Sequence, residues 1–360
     1  MSVWTCWRAA ISAICADLPS STSGADTVLK PVALTMGEPA GIGGELTLKA
    51  WLRRAEGMPA FFAIDDPIRL TALAARLGLA VPVTTITDAA EAAAVFPHAL
   101  PVLPQPLVTQ VKPGQAMPAN VASVRASIAR AVELAQSGVA SAVVTNPIHK
   151  GVMYQGGFRF PGHTEFLANL LGLAGDEVMM LACPSLRVVP VTIHVALAEA
   201  VRTLTRAQIV ATGFATAHAL RVDFGIAQPR LAVAGLNPHA GEDGAMGREE
   251  IDMIAPAVAE LRAAGVDATG PLPPDTMFHG AARARYDAAL CMYHDQALIP
   301  LKTLGFDEGV NITLGLPIVR TSPDHGTAFE LAGTGKASET SLMAALAMAG
   351  TIALNRMNSK

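Results

Sequence analysis

Residues 30–50 read KPVALTMGEPAGIGGELTLKA, and this stretch indicates the fold class. The apolar run KPVALTM (30–36) has the length of a buried strand. It is followed by the glycine-rich turn GEPAGIGGEL and by an apolar-periodic helix that begins near Glu45. A strand, a tight turn and a helix in this order make one βα unit. The stretch therefore predicts an α/β protein.

The same alternation continues along the chain. Because strands that alternate with helices form parallel sheets covered by helices, we predict a mostly parallel α/β/α architecture. Residues 95–120 contain six prolines and are predicted to be an irregular connection. Strands are predicted at 61–65, 81–86, 141–145, 178–182, 188–194, 230–235 and 288–293, and helices at 67–77, 121–135, 205–220, 248–264, 276–284 and 337–357.

Composition limits the class of protein. The 360 residues are 51% hydrophobic and carry a net charge of −4, which gives no electrostatic case for nucleic-acid binding. No apolar run reaches the roughly eighteen residues of a membrane span, so no membrane partner is expected. Four scattered cysteines favour reduced thiols and a cytoplasmic location. Residues 1–28 are predicted to be a poorly ordered N-terminal extension.

Three histidines stand at or just after the ends of apolar runs. His194 closes VVPVTIH, His239 follows LAVAGLNP, and His294 follows AALCMY. Ligands of open α/β sheets bind beyond the carboxyl ends of the strands, and imidazole is a good ligand for divalent transition metals. The residues therefore predict a metal site, although each histidine taken alone is better explained as a loop or capping residue.

Other polar groups predict an anion site. His163 and Thr164 in PGHTEF lie at a predicted helix N-terminus, where Thr164 is the expected cap, and Lys150 follows another strand. Lys302, Asn311 and Arg320 stand in an otherwise apolar segment, and two cations with an amide suit a phosphate or carboxylate. The turn GEPAGIGGE matches neither GxGxxG nor the P-loop, whereas TSPDHGTAFELAGTGKA (321–337) has the glycine and hydrogen-bonding groups to wrap a nucleotide.

An ordered set of motifs from about Lys30 onward resembles the 4-hydroxythreonine-4-phosphate dehydrogenase (PdxA) family of vitamin B6 biosynthesis. This sequence departs from the family's GDPAGIGPE at Glu38 and Gly44, neither of which belongs to the ligand set. The motifs are GEPAGIGGE, VTNPIHKG, GHTEF, GLNPHAGEDGAMG, PDTMF, MYHDQ, GVNITLGLPIVRTSPDHGTA and AGTGKA.

The resemblance implies a two-domain fold like that of the isocitrate and isopropylmalate dehydrogenases, with the active site in the cleft between the domains. We expect a first α/β domain at 29–158 plus 325–360. A second α/β domain at 159–324 is expected to carry the metal ligands and the dimer interface. The resemblance also implies a homodimer with shared active sites, in which the neighbouring subunit contributes His294.

The resemblance assigns roles to the residues singled out above. One divalent metal (Zn, Mg or Co) is held by His194, His239 and His294. The catalytic base is Asp275 or Asp295, which the sequence does not rank. The substrate is bound by His163, Thr164, Lys302, Asn311 and Arg320, and NAD or NADP by Thr321, Ser322, Asp324, Gly326 and Thr327.

The implied reaction is oxidation of 4-phosphohydroxy-L-threonine to a 2-amino-3-oxo acid, which loses CO₂ to give 3-amino-2-oxopropyl phosphate. Related dehydrogenases with similar motifs act on phosphoerythronate, phosphothreonate or an aromatic dihydrodiol. Two alternatives come from other classes: a metal-dependent hydrolase, because three histidines with acids also make hydrolytic sites, and a non-catalytic anion-binding protein. No HExxH motif supports the hydrolase.

Overall fold

The computed structural model describes residues 29–173, 175 and 177–359, so the predicted extension at 1–28 lies outside the described residues. The described chain divides into two compact units. We call Val178–Gly315 the continuous unit. The split unit runs up to Glu177 and resumes at Leu316–Asn358.

The split unit contains a parallel sheet with the order β3-β4-β2-β1-β5-β12. Its strands are short and mostly buried, as expected for a sheet covered on both faces. They are β1 (Val32–Thr35), β2 (Phe61–Asp65), β3 (Val83–Thr85), β4 (Leu100–Pro104), β5 (Val143–Thr145) and β12 (Arg320–Pro323).

Helices cover both faces of this sheet. One buried hydrophobic cluster contains residues of α4 (Val121–Gln136) and α6 (His163–Leu170) together with Ala33, Phe62 and Ile64 of the sheet. It contains no residue of α13 (Thr340–Asn358), although α13 also packs on β1, β5 and β12. The two sets of helices therefore lie on opposite faces. The helices are α1 (Gly43–Leu52), α2 (Pro67–Leu77), α3 (Ala92–Val95), α4 (Val121–Gln136), α5 (Lys150–Gln155), α6 (His163–Leu170) and α13 (Thr340–Asn358).

The continuous unit has the strand order β11-β6-β7-β10-β8-β9. β7, β10, β8 and β9 are parallel, whereas β6 pairs antiparallel with both β7 and β11. The strands are β6 (Val178–Cys183), β7 (Leu186–Pro190), β8 (Arg230–Ala234), β9 (Asp267–Leu272), β10 (Ala288–Cys291) and β11 (Val310–Leu314). The prediction of a mostly parallel α/β fold is confirmed.

The helices of the continuous unit follow its strands in chain order. They are α7 (Leu197–Thr203), α8 (Arg206–Val222), α9 (Ala255–Ala263), α10 (Pro274–Met277), α11 (Gly280–Arg283) and α12 (His294–Gly305), with a π-helical turn at Glu250–Ile254 leading into α9. None of the helices in the described ranges is both long and apolar enough to cross a membrane.

The units divide at 177/178 and 315/316, whereas the sequence placed the boundaries at 158/159 and 324/325. Two contacts account for the difference. Phe166 and Leu167 of α6 are buried in the core of the split unit, and β12 pairs with β5 in register Arg320↔Val143. Residues 159–173 and 316–324 are therefore held by the sheet of the split unit.

One secondary-structure prediction is wrong in an instructive way. The proline-rich stretch 95–120, predicted to be irregular, contains β4 between β2 and β3. Prolines at 101 and 104 cannot donate to the ladder, but Leu100 N still donates to Pro82 O at one end and Gln105 N to Asp65 O at the other. The strand is thus anchored by the residues around its prolines.

Candidate active site

The three predicted metal-ligand histidines follow three neighbouring parallel strands. β10 lies between β7 and β8, with Ala289 opposite Val188 and Leu290 opposite Val233. Parallel strands bring their carboxyl ends to the same edge of a sheet. His194 lies four residues after β7, His294 begins α12 after β10, and His239 lies in the turn after β8. The continuous unit therefore carries all three at one edge of its sheet.

His194 and His294 are side by side, with ring centroids 5.9 Å apart. The segments that carry them are joined by hydrogen bonds, because Val191 N donates to Cys291 O (2.8 Å) and Thr192 Oγ1 to Met292 O (2.8 Å). Two imidazoles on one tetrahedral ion, with metal–nitrogen bonds of about 2.0–2.1 Å, have ring centroids roughly 5 Å apart. The two rings here are therefore close to that spacing but slightly wider than it.

His294 is oriented by its neighbour. Its Nδ1 lies 2.7 Å from Oδ1 of Asp295, which leaves Nε2 for a ligand. A carboxylate on the second nitrogen is the usual way in which a metal-binding histidine is held. Asp295, one of the two predicted bases, is therefore placed to position His294.

His239 is the member that the single chain does not bring to the pair. No three His, Cys, Asp or Glu side chains of the described residues are arranged to hold one ion. His239 lies in a helical turn, Pro238–Gly244, in which five successive residues have positive φ, from His239 (53°) to Asp243 (52°). The His239 side chain is exposed.

Two buried side chains hold this edge of the sheet together. Glu250 is 3% exposed, and its Oε1 accepts from Leu236 N and Asn237 N, both at 2.7 Å. Gln296 accepts from Met292 N (2.6 Å) and donates to Gly235 O (2.7 Å), which ties the start of the His294 helix to the start of the His239 turn. Sequence reasoning missed both, and the only signal was their position within GREE and MYHDQ.

The remaining predicted residues of the continuous unit are dispersed. Asp275 is exposed on α10, which contacts the His239 turn. Lys302 is half-buried on α12 with its Nζ 5.8 Å from the ring centre of Phe306, and Asn311 is half-buried on β11 opposite Leu181.

The split unit gathers the other predicted anion-binding residues. Arg320 is 4% exposed on β12, and its Nη2 donates to Thr145 Oγ1 (2.8 Å). Burial lowers the pKa of Arg320 to about 10, and the carboxylate of Glu165 opposes that shift. A guanidinium with this pKa is still charged at neutral pH.

His163 lies close to these charges. Burial, followed by the positive charges of Arg320 and Lys150, holds the pKa of His163 well below its usual value. Its Nε2 is shielded from solvent and has no hydrogen-bond partner among the described residues. The ring is therefore neutral at pH 7 and has a polar atom available to a ligand. Thr164 is not the helix cap that the sequence predicted, because α6 begins at His163 with Gly162 as its N-cap and no side-chain cap bond.

Several residues of the predicted cofactor loop make contacts within the protein. Thr321 is fully buried and its Oγ1 donates to Ala345 O of α13 (2.8 Å), while Ser322 is buried in β12. Asp324 N donates to Ser341 Oγ, and Thr327 O accepts from Ile42 N (3.1 Å). Gly326 is exposed, with open space around it.

Glu45, in the first glycine-rich motif, supports the segment after this loop. The side chain is fully buried and accepts from Gly335 N (3.3 Å) and Ala337 N (3.1 Å). Lys49 pairs with Glu45 at 3.0 Å and donates to the carbonyls of the same two residues. The motif thus positions residues 335–337.

The chain matches one protein family over most of its length. The model of the family "Pyridoxal phosphate biosynthetic protein PdxA" matches residues 59–349. The chain belongs to this family. A relative named 4-hydroxythreonine-4-phosphate dehydrogenase from Bradyrhizobium diazoefficiens is 53% identical over 341 residues, covering 91% of this chain and 99% of the relative. A relative of the same name from Caulobacter vibrioides is 55% identical over 332 residues, covering 91% and 98%.

Solved structures agree with the PdxA assignment. The 4-hydroxythreonine-4-phosphate dehydrogenase from Klebsiella pneumoniae superimposes with a TM-score of 0.81 at 39% identity, over 90% of this chain and 99% of that one. A terephthalate 1,2-cis-dihydrodiol dehydrogenase from Burkholderia xenovorans gives a TM-score of 0.62 at 27% identity, over 90% and 98%. The PdxA fold is thus shared by relatives named as dehydrogenases of different alcohols.

Proposed function

We propose that this PdxA-family chain oxidises 4-phosphohydroxy-L-threonine with NAD or NADP and a divalent metal. The product is a 2-amino-3-oxo acid that loses CO₂ to give 3-amino-2-oxopropyl phosphate, in pyridoxal 5'-phosphate biosynthesis. The observation that carries the proposal is the His194–His294 pair, 5.9 Å apart beyond two parallel strands, in a chain that matches dehydrogenases of this name along nearly their whole length.

A divalent ion, when bound, lowers the pKa of the substrate hydroxyl and stabilises the negative charge that develops on its oxygen. The chain's own groups move the proton. NAD or NADP, when bound, would accept the hydride from the alcohol carbon, and a base of the chain would accept the hydroxyl proton. In the second step CO₂ leaves, the electron pair of the broken C–C bond passes towards the new carbonyl, and a proton is taken up at the carbon.

Of the two predicted bases, Asp275 fits the role better. Asp295 is engaged with His294 Nδ1, and a carboxylate that orients a metal-ligating imidazole is poorly suited to accept a second proton. Asp275 is exposed, on a helix that contacts the His239 turn. We assign Asp275 as the base and Asp295 as the residue that positions His294.

The cations hold the substrate's anionic groups. Arg320 and Lys302 supply positive charge for the phosphate and carboxylate, Asn311 supplies an amide, and neutral His163 supplies Nε2 beside Arg320. Fixing a phosphate in this way converts binding energy into orientation of the reacting carbon. Thr164 in the first turn of α6 adds a hydroxyl and a backbone N–H.

The separation of His239 from the pair supports a site shared within a homodimer. Val195 (49% exposed) and Leu197 (59% exposed) line the same pocket as His194, which suits a face covered by a second copy. The resemblance gives His294 to the neighbouring subunit. The geometry favours a different division, in which one chain supplies His194 and His294 and its partner supplies His239.

Mixing inactive variants under subunit exchange tests this division. With His239→Ala and His294→Ala, each mixed dimer has one intact site under either division. Since about half of the dimers are mixed, activity should recover to about a quarter of wild type. With His194→Ala and His294→Ala, recovery is expected only if those two ligands come from different chains. Recovery in the second mixture overturns our division, and no recovery in the first overturns the shared site.

The function is tested by following NADH absorbance with a substrate panel. We expect reduction of NAD or NADP with 4-phosphohydroxy-L-threonine, loss of activity on chelation and its return with Zn, Mg or Co. The likeness to the Burkholderia xenovorans enzyme makes an aromatic dihydrodiol the second candidate, and phosphoerythronate and phosphothreonate complete the panel. Phosphate release without NADH would show a metal-dependent hydrolase instead, and full activity after chelation would contradict the metal.

A further inference from the structure

The split unit contains a cavity of about 460 Å³ at the carboxyl edge of its sheet. Pro39 and Gly41 after β1, Asp66 after β2 and the segment 107–111 after β4 contribute to its walls. Ligands of parallel α/β sheets bind at this edge, and sites for small molecules usually enclose about 300–1,000 Å³. Neither the histidines nor the predicted anion-binding residues line this cavity.

We propose that this cavity holds the adenosine diphosphate portion of the dinucleotide, with Arg76 against a phosphate group. The proposal rests on the proposed function, since it names a subsite for the cofactor of that reaction. Apolar side chains, Leu73 on α2 with Leu107 and Val108, supply faces for a purine, and Thr109 and Gln110 supply hydrogen-bonding groups.

Three charged side chains line the cavity, Asp66, Arg69 and Arg76, and they differ in whether they are already paired. Asp66 is committed to the fold, because its Oδ1 accepts from Ile68 N and Arg69 N and its Oδ2 from Leu107 N. Arg69 pairs with buried Asp65. Arg76 has no ion-pair partner among the described residues, so its guanidinium is available to a phosphate.

The glycine-rich segment after the predicted cofactor loop borders the same space. Gly333 has φ of 68°, and a Cβ on it would lie 2.8 Å from Pro113 and 3.4 Å from Nε of Arg76. At the other end, a Cβ on Gly41 would lie 2.9 Å from Thr327 O. Gly333 therefore lines the cavity, and Thr327 lies against Gly41, another of its lining residues. The stretch 327–333 continues from the residues predicted to hold the nicotinamide nucleotide.

Calorimetry with ADP as the probe and full-length protein tests the site. Ala72→Trp fills the cavity from an exposed position of α2, and Ala75→Trp is its matched control, because Ala75 is exposed on the same helix but does not line the cavity. We expect Ala72→Trp to weaken ADP binding by at least about tenfold and Ala75→Trp to leave it unchanged. Arg76→Gln should weaken ADP by about tenfold but leave adenosine, which has no phosphate, unaffected. Thermal unfolding of each variant checks that the fold is kept.

Kinetics separate this proposal from the proposed function. If both hold, Ala72→Trp raises KM for NAD while kcat and KM for the phosphorylated substrate stay unchanged. If NADH forms but Ala72→Trp alters neither ADP binding nor KM for NAD, the cavity assignment is overturned and the dehydrogenase stands. If ADP binds and is lost in Ala72→Trp while no substrate of the panel yields NADH, the nucleotide site stands and the dehydrogenase is overturned. Equal weakening by Ala75→Trp also overturns the assignment.

Discussion

In each unit a glycine-rich turn follows a parallel strand, and the helical segment after the turn carries a buried glutamate. Glu45 in the split unit accepts from Gly335 N and Ala337 N at 3.3 and 3.1 Å. Glu250 in the continuous unit accepts from Leu236 N and Asn237 N at 2.7 Å and from Asn237 Nδ2 at 2.9 Å. Each glutamate has three polar contacts, since Glu45 also pairs with Lys49 at 3.0 Å, but the bonds around Glu250 are shorter.

The backbones of the two turns differ in strain. Within 37–44, all of which is described, only Gly37 has a positive φ (64°). In Pro238–Gly244, His239, Ala240, Glu242 and Asp243 have positive φ although none is glycine. A left-handed conformation costs a residue with a side chain roughly 1–2 kcal/mol, so this turn persists only because its surroundings hold it.

The difference indicates what each turn does. The relaxed turn is close to a neighbouring loop, whereas the strained turn carries His239, a predicted metal ligand. Backbone strain concentrated at a residue with a chemical role is common in active sites. Gly241 shows how closely the strained turn is held, because a Cβ there would lie 2.6 Å from Oε2 of Glu250.

The largest expected effect is that of Glu250→Ala. Removing the carboxylate leaves two backbone N–H groups without their acceptor and releases the strained turn. The free energy of unfolding should therefore fall by about 3–5 kcal/mol, measured by chemical denaturation. Glu249→Ala is the control, because Glu249 is bonded only through Asn237 Nδ2 among these groups, and should cost at most about 1 kcal/mol. Equal losses in the two variants would contradict the role of Glu250.

Glu45→Ala should cost less, about 1–3 kcal/mol in the same measurement. Its two backbone bonds are longer, and the segment that it supports carries less strain. The second consequence is electrostatic, because Lys49 loses its ion-pair partner but keeps the carbonyls of Gly335 and Ala337. A loss greater than that of Glu250→Ala would show that strain is not what separates the turns.

Much of the fold could be predicted from local signals. The helix Pro67–Leu77 has its bounds as predicted, because Asp66 caps its N-terminus, proline is its first residue and Gly78 ends it with φ of 64°. By contrast, β9, β11 and β12 were not predicted. The strand DATGPL contains glycine and proline and is stabilised by its pairing with β8, which is not a local property.

The site divides in the same way. Histidines after predicted strands could be placed at one sheet edge, because the edge follows from strand alternation alone. The left-handed turn at His239 could not, since it depends on Glu250 and on Gln296, which bonds Gly235 across 61 residues of sequence. The sequence therefore indicates which residues reach the edge but not how they are aimed.

The smallest expected changes in stability are those of an alanine-to-glycine substitution in each turn. They should differ in sign, and they therefore test most directly whether the two turns differ in strain. Ala240 has φ of 53°, so Ala240→Gly relieves left-handed strain of roughly 1–2 kcal/mol while adding about 0.5–1 kcal/mol of unfolded-state entropy. The net expectation is a gain in stability of about 0.5–1 kcal/mol.

Ala40, in the relaxed turn, is 1% exposed and has no positive φ. Ala40→Gly should therefore destabilise by about 1–2 kcal/mol, from lost methyl burial and added entropy. Chemical denaturation of both variants gives the two signs. A loss of stability in Ala240→Gly as large as that in Ala40→Gly would mean that the turn after β8 stores no strain.

If Ala240→Gly is more stable than wild type, its affinity for the metal tests whether the strain serves the site. A more flexible turn should hold His239 less rigidly, so the variant should bind the ion more weakly.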